Sequence, residues 1–283
     1  MSCFGRLLKY QKDIVTFMVR RKSEMLRRGS DAAAQTARTA LSLLFPPHCA
    51  ACGAVLPAAQ VFTRQMLPKS SQLLCPNCSH AFQKIKAPYC AKCGCQLSAV
   101  TEEGALCRGC TRKLRLFEHC FSLLQYEGAA KKAMMAAKYQ HKKEYLQYFA
   151  AAAAETFGAE LLARSIDALV PVPVHAERRR VRGYNQAEVL CRFLSPRLGE
   201  IPVVTDFLQR TKKTKAQKEL GEHARVLNLQ NAFCLKHLYT DIKTVLLVDD
   251  IYTTGATLEA CTEVLLQSGV QKVYGLCICA GND

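Results

Sequence analysis

Residues 245–258, Val-Leu-Leu-Val-Asp-Asp-Ile-Tyr-Thr-Thr-Gly-Ala-Thr-Leu, constrain this chain more than any other stretch. Four consecutive valines and leucines predict a strand buried on both faces, the pattern of a parallel sheet. Asp249 and Asp250 follow where that strand would leave the sheet, and a threonine-rich loop around Gly255 comes next. From Ala256 to Gln267 the residues Leu258, Cys261, Leu265 and Leu266 fall at helical spacing. Strand, loop and helix in that order build an anion site. The first N–H groups of a helix lack internal partners, and the macrodipole adds positive charge there. Gly255 lets the backbone approach a ligand, while Thr253, Thr254 and Thr257 offer hydroxyl donors to phosphate oxygens. The two carboxylates would repel a phosphate, but they can accept from a diol or help hold Mg²⁺. A phosphate beside vicinal hydroxyls describes a ribose 5-phosphate.

A Walker B strand also ends in paired aspartates, yet the chain has no G-x-x-x-x-G-K-[ST], and no G-x-G-x-x-G either. A purely structural turn has no use for two carboxylates followed by three threonines. The stretch resembles the PRPP-binding loop of type I phosphoribosyltransferases. That resemblance implies that Thr253, Thr254, Gly255, Ala256 and Thr257 hold the 5-phosphate. Asp249 and Asp250 would be the catalytic pair on the ribose hydroxyls, with Mg²⁺ accompanying PRPP.

Sixteen cysteines raise the question of compartment. Eight of them form four C-x-x-C pairs: Cys49/Cys52, Cys75/Cys78, Cys90/Cys93 and Cys107/Cys110. Each pair can sit on a tight turn aiming two sulfurs at one metal, and two such turns complete a closed tetrahedral zinc site. Two structural Zn²⁺ ions are expected, rather than disulfides. Both the sequential pairing and a crossed pairing of the first with the third are open at this point. Cys95 is a spare thiol near the second set. The formal charge of +16 becomes about +12 once eight thiolates and two zinc ions are counted. That balance favours phosphorylated or nucleic-acid partners.

With 283 residues, 49% of them hydrophobic and 22% charged, the chain suggests about two domains with substantial cores. No run of 18 apolar residues and no leader pattern is present, so a cytoplasmic protein is expected. Residues 1–30 carry eight lysines and arginines, from Arg6 to Arg28, interleaved with Leu7, Tyr10, Ile14, Phe17, Met18 and Met25. That spacing predicts a basic amphipathic helix able to touch an anionic membrane or nucleic acid, against the alternative of a loosely ordered extension or of a true start at Met25. A short helix over residues 32–45 ends before Pro46-Pro47.

Beyond the cysteines, residues 112–118 suggest a linker, and residues 120–126 a strand alternating apolar with polar. Helices are expected from Gly128, from Lys142 to Ala163 and from Gln186 to Leu198. Residues 168–174 are extended, with prolines suited to a sheet edge. Residues 175–186 look basic and loop-like, and the lysine-rich residues 208–224 suggest a lid. Further strands are expected at Ala232–Leu235 and Lys272–Cys279, with Cys277 and Cys279 in the core.

From about Leu41 onward the chain resembles the ComF (ComF/GntX) family. The resemblance is carried by Leu43-Leu44-Phe45-Pro46-Pro47-His48-Cys49, Val170-Pro171-Val172-Pro173-Val174-His175, Arg182-Gly183-Tyr184-Asn185-Gln186, the spaced Gln217, Leu220, Arg225 and Asn228, and the PRPP loop. It implies an α/β architecture: a parallel-sheet phosphoribosyltransferase-like domain over residues 116–283, a double zinc ribbon over 41–115, and a basic extension over 1–40. It also implies an association with DNA uptake in natural competence, with nucleotide salvage as a related role. One departure stands out. Lys138-Tyr139-Gln140-His141 replaces a turn that usually ends in glycine, next to where Lys138 and Arg182 are candidates for the pyrophosphate. The expected function is a phosphoribosyltransferase-type protein binding PRPP or a ribose 5-phosphate. The alternative is an inactive single-stranded-DNA adaptor using the fold as scaffold, with a DNA-uptake or helicase partner and a peripheral membrane contact through residues 1–30.

Overall fold

The structure is a computed structural model that describes residues 46–57, 69–97, 102, 104–211 and 232–281. The expected helices over residues 1–45, most of the 208–224 lid and the spaced set at 217–228 lie outside the described residues. In chain order the main elements are α1 (Arg108–Arg112), β1 (Cys120–Gln125), α2 (Gly128–Tyr139), α3 (Tyr145–Ala163), β2 (Ala168–Pro171), α4 (Ala176–Arg182) and α5 (Gln186–Leu194). There follow β3 (Leu208–Arg210), β4 (Phe233–Leu235), β5 (Thr244–Tyr252), α6 (Ala256–Gln267) and β6 (Lys272–Ala280).

Four strands form a parallel sheet in the order β1-β6-β5-β2, and β3 pairs antiparallel with β4. β5 is flanked on both sides, which is why Val245, Leu246, Leu247 and Val248 have no exposed surface. Leu246 and Val248 join the core under α2, α3 and α5, while Val245 and Leu247 join the one under α6 and the β3–β4 hairpin. This is the alternation of a strand covered on both faces. β2 is the edge strand of the sheet, and Pro171 ends it; on the side away from β5 it bridges to Val203 through Leu169.

The cysteine-rich part does not stand apart. Cys49, Ala50, Leu73, Leu74 and Phe82 join the α3 side of the core, and Cys90, Cys93, Cys107 and Cys110 join the α6 side. Phe82 stacks on Tyr148 at 4.5 Å between centroids, and Glu155 of α3 accepts from the Ser70 N–H at 2.7 Å. On the other face Gly94 presses on β1. A Cβ there would lie 2.5 Å from the Cys120 carbonyl oxygen, and its φ of +68° is left-handed.

Three expectations needed correction. Residues 175–186 are not a loop: α4 forms because His175 Nδ1 accepts from the Glu177 N–H at 3.3 Å and Gly183 closes the helix at φ +78°. β1 does not alternate, since Cys120–Leu124 are all buried. The segment at 112–118 is packed rather than free, with Phe117 fully buried. Helix starts and ends elsewhere differ by a few residues, α3 beginning at Tyr145 and α5 giving way to a 3-10 turn at Ser195–Arg197.

Because the atom facing Gly94 is backbone, Gly94→Ala should destabilise the protein by about 2–4 kcal/mol. Urea unfolding of the metal-loaded protein measures this, and an unchanged midpoint would contradict the close approach.

Candidate functional site

β2 stops pairing at Val248 (its partner is Pro171), while β6 continues beside Asp249 and beyond. Asp249 and Asp250 therefore sit at the carboxyl end of the central strand, where the sheet opens on one side. This is the usual place for a ligand in a parallel α/β fold. The Asp250 N–H donates to Asp249 Oδ1 at 2.8 Å, and Asp250 Oδ2 pairs with Lys138 Nζ at 2.8 Å. Burial, and after it the Asp250 charge, pushes the Asp249 carboxyl up to about 7. The Asp250 N–H, Lys138 and Arg210 pull against that rise. Although the Asp249 residue keeps some exposure to solvent, its carboxyl is enclosed by protein.

The loop after β5 is tight. Gly255 has φ +74°, and a Cβ on it would sit 2.3 Å from the Tyr252 hydroxyl oxygen. The glycine is required both for its left-handed conformation and for the ring beneath it. As the residue preceding α6 it offers no side-chain cap to the first turn. Thr254 Oγ1 accepts from the Ala256 N–H at 3.5 Å. Thr253, Thr254 and Gly255 thus join the carboxylates to α6, whose first turn carries Ala256 and Thr257.

The helices that carry Lys138 and Arg182 are tied together by residues that sequence reasoning gave no structural role. Tyr184 donates its hydroxyl proton to the Ala137 carbonyl, pinning the end of α2. Asn185 Nδ2 donates to the Val172 carbonyl at 3.0 Å and its Oδ1 accepts from the Ala187 N–H, fixing the start of α5 to the end of β2. The Arg182 guanidinium lies 5.2 Å from the Tyr139 ring centroid and donates to Gln186 Oε1 at 3.1 Å. The Arg182–Gln186 motif is therefore a joint between three helices. His141 adopts φ +55°, the conformation that a glycine would take without strain. The substitution keeps the turn and adds an imidazole beside it.

Arg210, at the end of β3, is a site residue missed as such, because it read as one more cation of a basic stretch. Burial, then Arg178, lowers its pKa, and Asp249 is among the charges that oppose the shift. No local pattern in the sequence places it near the carboxylates.

The eight paired cysteines form two tetrads in sequential pairing: Cys49, Cys52, Cys75 and Cys78, and Cys90, Cys93, Cys107 and Cys110. In each, the sulfurs lie within 4.8 Å of one another. Cys52 and Cys75 sulfurs are 3.7 Å apart, and those of Cys93 and Cys107 3.6 Å. Tetrahedral Zn–S bonds of about 2.3 Å place sulfurs roughly 3.8 Å apart, so the donor set fits zinc. The two units are a repeat. In both, the first cysteine N–H donates across the turn, Cys49 to Ala54 at 2.7 Å and Cys90 to Cys95 at 2.9 Å. Equivalent bridges join His48 with Val55 and Tyr89 with Gln96.

Residues 40–111 match the double zinc ribbon domain model, and residues 137–283 the phosphoribosyl transferase domain model. The chain is 40% identical over 114 residues to competence protein F of Haemophilus influenzae, and 35% over 113 residues to the DNA utilization protein YhgH of Escherichia coli K12. These alignments cover 39% and 40% of this chain and 49% of each relative, so the chain spans about half the length of those two curated relatives. It is 27% identical to competence protein ComFC of Bacillus subtilis, over 78% of this chain and 89% of that protein.

The raised Asp249 pKa has a consequence for stability. Its folded value, about 7, exceeds the unfolded one of about 3.9, so between these the folded state binds more protons. That contribution is fully present below pH 4 and is lost as pH rises through 7. Asparagine cannot ionise, so Asp249→Asn should escape that loss, raising Tm relative to wild type by roughly a few degrees at pH 8 but not at about pH 4. Parallel Tm–pH curves for the two proteins would refute the shift.

Proposed function

The chain belongs to the phosphoribosyl transferase domain family, behind a double zinc ribbon, and on that footing we propose that it binds PRPP or a related ribose 5-phosphate together with Mg²⁺. The observation that carries this reading is the Asp249–Asp250 pair at the open end of β5, followed at once by the Thr253–Thr257 loop entering α6. The loop N–H and hydroxyl groups would hold the 5-phosphate, and the carboxylates the ribose hydroxyls. Mg²⁺ would supply positive charge shared between phosphate oxygens and few protein ligands, as that ion commonly does. Lys138 neutralises Asp250 in the free protein, and from there it and Arg182 can meet a pyrophosphate. A ligand that donates to Asp249 favours its ionised form, so binding there would be coupled to release of the proton that burial holds on the carboxyl. The two cysteine tetrads, one on each side of the sheet, would each hold a structural Zn²⁺.

A second reading, a nucleic-acid adaptor for DNA uptake, is favoured by α4. This helix buries none of its residues and presents Arg178, Arg179, Arg180 and Arg182 against Glu177. The relatives named for competence and DNA utilization point the same way. In that role a DNA-uptake or helicase protein would be the partner, and residues 1–30 would supply any contact with a membrane. Among the described residues no helix is long and apolar enough to cross one. We take the setting to be cytoplasmic, and the domain division at residues 40/41 and 115/116 as the working one.

Calorimetry with PRPP, with and without Mg²⁺, decides between the two. Wild type should bind in the presence of Mg²⁺, and the Asp249→Asn/Asp250→Asn protein should lose at least roughly tenfold in affinity while retaining two zinc ions. Equal affinity in the double variant would remove the carboxylates from the site. If neither protein binds PRPP, a salt-dependent grip on single-stranded DNA becomes the function to establish.

A further inference from the structure

One side chain joins the second cysteine tetrad to the Thr253–Thr257 loop. Arg115 lies three residues past α1 and is 9% exposed. Its Nη2 donates to the Thr254 carbonyl at 2.9 Å. The same nitrogen lies over the turn between Cys107 and Cys110, 3.7 Å from where a Cβ on Gly109 would be. Burial works against the charge, yet Tyr252, the Cys110 sulfur and Glu259 together hold its pKa above the ordinary arginine value. The next residue adds a second tie, the Leu116 N–H donating at 3.1 Å to Glu259 Oε2 in the first turn of α6. Phe117, fully buried, anchors the segment in the same core.

In a trans peptide the C=O and the following N–H point in opposite directions. Fixing the Thr254 carbonyl towards Arg115 therefore turns the Gly255 N–H to the side of the loop away from the ribbon. Without this tie, that peptide could rotate at little cost, because glycine tolerates most backbone conformations. The Nε of Arg115 has no hydrogen-bond partner among the described residues.

We propose that Arg115 is a positioning residue: braced on the second cysteine tetrad, it holds the Thr254–Gly255 peptide so that the Gly255 N–H is presented to a bound phosphate. This rests on the sugar-phosphate reading above. It gives the second ribbon a task, the preorganisation of a loop about 140 residues away in sequence. Arg115 does not touch the ligand. It acts through the orientation of one peptide.

The test uses the full, zinc-loaded chain and two readouts, amide hydrogen exchange and calorimetry with PRPP and Mg²⁺. Arg115→Met should speed exchange of the 253–258 amides about tenfold or more and weaken PRPP binding by about the same factor, with two zinc ions retained and β6 exchange unchanged. Wild-type exchange in the loop would overturn the proposal. So would a rise spread equally over β5 and β6, which marks a general stability contact. If the methionine variant fails to fold, Arg115→Lys, which keeps the charge but not the span, takes its place, with faster loop exchange expected and wild-type exchange again overturning. Wild type that binds no PRPP would fell the sugar-phosphate reading, while the exchange comparison would still judge the strut.

Discussion

Two adjacent carboxylates at the end of a strand with no exposed surface set the problem that the surrounding structure answers. Ions at such a place lose hydration, and like charges side by side repel. Asp250 is compensated by Lys138 at 2.8 Å. Among the described residues Asp249 meets the Asp250 N–H and more distant cations, and burial pushes its carboxyl up to about 7. Keeping Lys138 in place requires the end of α2 to be fixed, which Tyr184 does through the Ala137 carbonyl, and Tyr184 is fixed in turn between α4 and α5. The charge pair thus gives a role to a motif 47 residues away, through the Tyr184–Ala137 contact.

The cysteine-rich units answer a different constraint. Each is too small to bury a core alone, and small units commonly depend on metal for stability. Here they also lean on the larger domain, one on each face of the sheet. The first uses aromatic stacking and the Glu155 carboxylate, and the second uses close backbone approach at Gly94 and the buried Arg115–Phe117 segment. Because the second unit reaches the loop after β5, its folding and the shape of that loop are physically linked.

Much of this was legible before any coordinates. Helix α6 begins and ends where the apolar spacing places it, β5 is buried as its valines and leucines require, and β2 takes the edge that its prolines demand. The tight loop follows from Gly255 and its neighbours. What went astray did so for identifiable reasons. Four arginines in α4 suggested a solvated loop, yet arginine is a good helix former, and His175 and Gly183 supply the caps. In β1 the polar Ser122 and Gln125 suggest alternation, but Ser122 is buried, donating its hydroxyl to the Cys93 carbonyl at 3.0 Å.

The sequence by itself determined the strand, loop and helix of the candidate site, the eight sulfurs that could bind metal, and the order of the two parts. Each of these is a local matter of periodicity, turn chemistry or ligand spacing. Tertiary structure decided which pairs of cysteines share a site, that Lys138 meets Asp250, that Arg210 lies within electrostatic reach of Asp249, and that Arg115 holds the Thr254 carbonyl. Those contacts join residues separated by tens to more than a hundred positions. Their existence depends on how the layers pack, and no local pattern of residues records that.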